Sequence, residues 1–124
     1  MTAISTNKYI YNILSNDEII KGYVSNKIYP LVAEESTTFP FIIFRKNNIQ
    51  TEYTKDGRTF DIVDFSVTVV ANDYITTVDV CERVRELIEL YRNDYFKQIH
   101  LTNVTEDYID NAYIQELQFT AKIK

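Results

Sequence analysis

One cysteine, one histidine, two glycines, two prolines and no tryptophan leave this 124-residue chain short of the residues from which most chemistry is built. Cys81 alone allows no intrachain disulfide and cannot seed a cysteine-based metal cluster. A reducing, intracellular origin fits that usage. With so little glycine a phosphate-cradling loop is excluded, and the G-x-x-x-x-G-K-[ST], G-x-G-x-x-G and H-E-x-x-H patterns are all absent. The first twenty residues lack the basic start and apolar run of a secretory signal. No apolar stretch approaches the roughly 20 residues that span a bilayer, so the expectation is a soluble chain with no membrane partner. Basic charge is also scarce. The net charge is -5, and Lys46, Lys55 and Arg58 are scattered near one expected hairpin. Nucleic-acid affinity rests on clustered cations, so specific nucleic-acid binding is not expected.

The residues that remain offer little catalysis. His100 alternates with Ile99 and Leu101, reads as a surface residue, and has no oriented partner in sequence. Cys81 reads as a small core hydrophobe. Acidic neighbours occur at Glu34/Glu35, Asp61/Asp64 and Asp107/Asp110. Asp61 and Asp64 would point to opposite faces of one strand. The other two pairs fall in polar connections, where solvated charge is the ordinary reading. No catalytic, cofactor-binding or metal-binding residue is assigned, and the chain is not expected to be an enzyme.

Apolar patterning is plentiful. Hydrophobic residues make up 45%, with 10 Tyr and 7 Phe, enough for one domain over residues 1–124 with its own core. Met1 to Ser15 has helical spacing, with Ser5 or Thr6 as its cap. Asn16 is expected to cap a second short turn, and Gly22 to end it. Lys27 to Tyr29 is a short extended piece, followed by a polar connection. Phe39 to Tyr53 reads as a strand whose second half leaves the sheet. Asp56-Gly57 marks a hairpin turn. Thr59 to Ala71 alternates strictly, with Val63, Phe65, Val67, Val69 and Ala71 on one face. Ile75 to Tyr91 is an amphipathic helix burying Val80, Cys81, Val84, Leu87, Ile88 and Tyr91, capped by Asp73 or Thr76. Ile99 to Asn103 and Tyr113 to Ile123 should pair as a hairpin across Asp110-Asn111. The expectation is an α+β fold: a mainly antiparallel sheet of about four strands with two helices packed on one face.

Some residues do not fit a single core. Val78 and Leu90 are apolar in the charged arc of the long helix. Ile42, Phe44, Phe60 and Ile62 alternate away from the core-facing set. Either they form a second apolar patch on the far side of the sheet, or they lie under the N-terminal helix or a loop. These six, with Lys55 and Arg58 at the hairpin tip, are the candidate protein-interface residues.

The order of segments carries a resemblance. Lys27-Ile28-Tyr29-Pro30 is followed by Phe39-Pro40-Phe41-Ile42-Ile43-Phe44. The long strand of Phe60 to Ala71 then runs straight into the helix containing Val80 to Leu90. The last strand is Tyr113 to Ile123. This series, over nearly the whole chain, resembles the tail completion (tail terminator) proteins of long-tailed phages and prophages. The Glu34 to Thr38 stretch departs from the small residues and glycine common there. The resemblance implies a virion structural protein, found in the tail or neck and assembled in the host cytoplasm. It implies a ring, commonly a hexamer, that ends the tail tube and joins it to the head. The partners so implied are further copies of the chain, the tail tube protein and the head connector or head-closure protein. A head-closure or neck protein of the same virion and a small ligand-binding α+β domain are the alternative readings.

Overall fold

The structure, a computed structural model, describes residues 3–57 and 59–123. Among these, five strands form one mixed sheet in the order β1-β2-β3-β5-β4, and three α-helices cover one of its faces. The strands are β1 (Ile28–Pro30), β2 (Phe41–Tyr53), β3 (Thr59–Ala71), β4 (Phe96–Ile109) and β5 (Ala112–Ile123). The helices are α1 (Thr6–Ser15), α2 (Glu18–Val24) and α3 (Tyr74–Ile88), with a 3-10 turn at Ala3–Ser5. The α+β class is as expected, with one more strand and one more helix than the sequence suggested. Every sheet pairing is antiparallel except β1 with β2, which is parallel.

The core lies between helices and sheet. From β3, Val63, Phe65, Val67 and Val69 point into it. Leu117, Phe119, Ala121 and Ile123 do so from β5, and Val80, Val84 and Ile88 from α3. Phe65 and Phe119 sit opposite each other in the ladder and stack with ring centroids 5.3 Å apart. Ile10 and Leu14 of α1 and Ile20 and Val24 of α2 complete the layer. A period-2 strand and a period-3.6 helix place such residues on one side, as the alternation of β3 and β5 and the arc of α3 required.

Local signals set the element ends. The Asp73 carboxylate accepts the Thr76 N–H at 3.1 Å and caps α3. Asp17, and not Asn16, caps α2 by accepting the Ile20 N–H at 3.0 Å. Gly22 sits inside α2, which ends where Ser25 turns left-handed at φ 58°. The Asp110-Asn111 turn has both residues left-handed, φ 51° and 66°, the geometry of a two-residue hairpin loop. Gly57 takes φ 85° in the other hairpin, a conformation open to glycine without steric cost.

Three further expectations are corrected. β2 does not leave the sheet after Phe44: it stays paired with β3 out to Tyr53, across a bulge at Asn47. β4 is 14 residues long, so Asp107 lies in a strand and not in a connection. Helix α3 stops at Ile88, because Glu89 is extended (ψ 130°) and the Leu90 N–H is taken by the Ile99 carbonyl of β4 at 2.8 Å.

Candidate protein interface

The bulge decides which β2 residues are available to a partner. At the hairpin end Ile49 faces Val63 and Asn48 faces Asp64. Past Asn47 the register shifts by one, so that Phe44 faces Val67 and Ile42 faces Val69. Directly opposed residues share a face. Ile42 and Phe44 therefore turn into the core, 0% and 5% exposed, with Tyr11 of α1 stacked on Phe44 at 6.1 Å. Both are removed as candidate interface residues; of the two readings left open by the sequence, burial under the helices is the observed one. The same shift delivers Phe41 and Ile43 to the side away from the helices, opposite Val70 and Thr68.

That side has no covering layer among the described residues. Phe41, Val70 and Ile114 share one rung, and Tyr29 sits beside Ile43 on the next. Phe39 stacks on Phe41 at 5.9 Å. Phe60 and Ile62 are half-buried at the opposite end of the same face, with the Lys122 ammonium 4.3 Å above the Phe60 ring. Between the two apolar ends lies Ser66, 1% exposed, its hydroxyl without a hydrogen-bond partner. The structure thus keeps Phe60 and Ile62 of the expected patch on this face, takes Ile42 and Phe44 into the core, and adds Phe39, Phe41 and Ile43, which sequence alternation alone did not select.

Val78 and Leu90 are not neighbours. Val78 is half-buried and lines a shallow hollow of about 150 Å³ with Cys81, Leu101, Val104 and Leu117, between α3 and the outer hairpin. Leu90 is outside the helix, 59% exposed and left-handed at φ 64°. Lys55 is exposed at the hairpin tip. Arg58 lies outside the described residues.

The titratable groups behave as structure. Burial pushes the Cys81 thiol up to about 12, with the nearby Glu106 charge adding to it. Asp17 and Arg83 form a two-point pair, Oδ1 to the guanidinium at 2.6 Å and Oδ2 at 3.0 Å. That hydrogen bonding holds Asp17 below the usual carboxylate range, against the opposing effect of burial. Asp61 accepts the Thr51 hydroxyl and Asp64 the Thr120 hydroxyl, on opposite faces of β3. His100 is exposed, opposite Thr120. No group of three or more His, Cys, Asp or Glu suited to a metal ion occurs among the described residues.

No protein-family model matches the chain, and no curated protein does. Among solved structures, its fold is similar to a chain from the "Virion of native gene transfer agent (GTA) particle". The likeness covers 92% of this chain and 90% of that one, with a TM-score of 0.78 and 14% sequence identity. At that identity the likeness is one of fold.

Proposed function

We propose that this chain is a structural protein of a phage-type virion, with the role of a tail completion protein. The carrying observation is the fold it shares, nearly end to end, with a chain of a gene transfer agent virion. The ordered segments from Lys27 to Ile123 support the same reading from the sequence side. In this reading copies of the chain form a ring, commonly six, at the head-proximal end of the tail tube. The ring ends tube growth and presents a surface to the head connector. Its work is geometric and needs no catalytic group. A net charge of -5 suits a ring through which DNA passes without adhering.

The contact surface in this reading comprises Phe60 and Ile62 on the open sheet face, Val78 in its hollow, Leu90, and Lys55 at the hairpin tip. Phe41 and Ile43 join them. Arg58 stays on this list from the sequence alone.

Immunogold labelling of purified particles tests the assignment. Gold confined to the head–tail junction is the expected result. Gold on the capsid surface or at the tail tip, or particles free of the protein, contradicts it.

A further inference from the structure

We propose that copies of this chain join edge to edge, the outer strand β4 of one pairing with the outer half of β2 in the next, so that the sheet continues from subunit to subunit. The inference rests on the ring reading above and names its contact. Sheet edges carry unused backbone hydrogen-bonding groups. Here two different edges are open and match.

On β4, the two-residue turn makes Ile109 and Ala112 a hydrogen-bonded pair. Alternation from there directs the N–H and C=O groups of Val104, Glu106 and Tyr108 outward. The first half of the same edge is covered by the chain itself. The Leu90 N–H donates to the Ile99 carbonyl at 2.8 Å, and the Leu101 N–H donates to Glu89 Oε2 at 3.0 Å. A bulge at Thr102 ends that cover. Beyond it, among the described residues, the one outward bond is local: the Tyr108 N–H to the Asp107 carboxylate at 2.8 Å.

On the opposite edge, β1 covers β2 over Ile42 to Phe44. The Ile42 N–H donates to the Lys27 carbonyl at 3.0 Å, and the Leu31 N–H to that of Phe44 at 2.9 Å. Past the bulge at Asn47 the same alternation turns Ile49, Thr51 and Tyr53 outward. Each edge therefore offers three consecutive outward rungs.

Direction and facing agree. Three antiparallel steps separate β2 from β4, so the two strands run opposite ways. A rotation that preserves strand direction lays β4 of one copy antiparallel to β2 of the next. Ile49 lies opposite Val63 and Val104 opposite Leu117, so both sets of outward residues carry their side chains on the helix side. The helices of neighbouring copies then stay on one side of the continuous sheet. Pairing Thr51 with Glu106 sets Ile49 against Tyr108 and Tyr53 against Val104, two aromatic–β-branched pairs of the favourable kind. It also sets Gln50 beside Asp107 and Glu52 beside Thr105, with no like charges opposed. This register staggers successive copies along the strands, as closed sheets do. Because the two edges differ, the contact is head-to-tail, the type that closes rings.

Proline at an outward position removes one intermolecular donor and leaves the internal ladder intact. The test is sedimentation of the full chain, Glu106→Pro, Tyr53→Pro and an equal mixture of the two, over rising concentration. The expected result is assembly beyond dimer for the unsubstituted chain, monomer for each variant alone, and dimer but nothing larger for the mixture. A persistent monomer of the unsubstituted chain overturns the ring reading and this contact together. Variants that assemble like the parent leave the ring standing and overturn the contact. Tyr53→Pro dimerising by itself points to β4–β4 pairing and also overturns it. Should either proline variant fail to fold, Thr51→Cys/Glu106→Cys with a short bis-maleimide, which adds one thiol at each end, provides the second reading. A ladder of cross-linked oligomers supports the contact; monomer alone contradicts it.

Discussion

Asp17 serves two elements at once. It caps α2 through the Ile20 N–H and clamps the Arg83 guanidinium of α3, which also reaches Glu86 at 3.1 Å. The Asp17 side chain is 10% exposed and that of Arg83 27%, so solvent screens the pair less than a surface bridge. Asp17→Asn keeps a capping oxygen and loses the charge. It should cost about 1 kcal/mol, and Asp17→Ala, which loses the cap as well, about 2–3 kcal/mol, by chemical denaturation. The folded-state pKa of Asp17 is lowered. Its contribution is therefore complete above the ordinary carboxylate range and disappears as pH falls through the lower folded value. The stability gap between the parent and Asp17→Asn should be constant at neutral pH and shrink only in acid. A gap that widened in acid would contradict the pairing. Asp79 lies four residues before Arg83 on α3, the spacing at which a helical ion pair ordinarily forms. Arg83 turns instead to a residue 66 positions distant, a contact invisible to helical spacing.

At the scale of elements, one unpaired residue governs the surface. The alternation of β3 and the arc of α3 were legible because each buries one face of a regular period. The Asp110-Asn111 and Asp56-Gly57 turns were legible from their backbone chemistry. The bulge at Asn47 has no such mark in a polar run, and it reverses the facing of every β2 residue before it. That is why simple alternation could not decide between surface and burial for Ile42 and Phe44, and did not select Phe41 and Ile43. The outer half of β4 was missed for a related reason: Asn103 to Ile109 are all exposed, so no burial pattern labels them as strand. Deleting Asn47 tests the role of the bulge. The register would move Ile42 and Phe44 out of the core, at about 2–5 kcal/mol for each large side chain lost, enough to unfold the domain. A native-like circular dichroism spectrum with an unchanged unfolding midpoint would show that the bulge is dispensable.

Whole-molecule behaviour follows from what the helices leave open. They cover one face of the sheet, and two edges, an apolar-ended face and the Val78 hollow remain for partners. A Val78→Glu or Leu90→Glu change places a charge where the ring reading puts a neighbour, at little cost to the isolated chain. Leu90 in particular is outside the core. Both variants should keep the parent's unfolding midpoint within a few degrees, and should fail to complement a gene deletion. If Val78→Glu unfolds the chain, Val78 belongs to the core and not to a contact. Composition spoke clearly at this scale about what the chain lacks. A strand-edge contact of the kind proposed would be recorded in no single motif, because it depends on backbone groups that every sequence possesses.

The most direct test of the tail completion role is deletion of the gene from its phage or prophage, followed by negative-stain electron microscopy of the induced lysate. The account predicts DNA-filled heads beside detached tails of irregular length. Normal virions would contradict it. Detached tails of normal length beside defective necks would assign the chain to head closure instead.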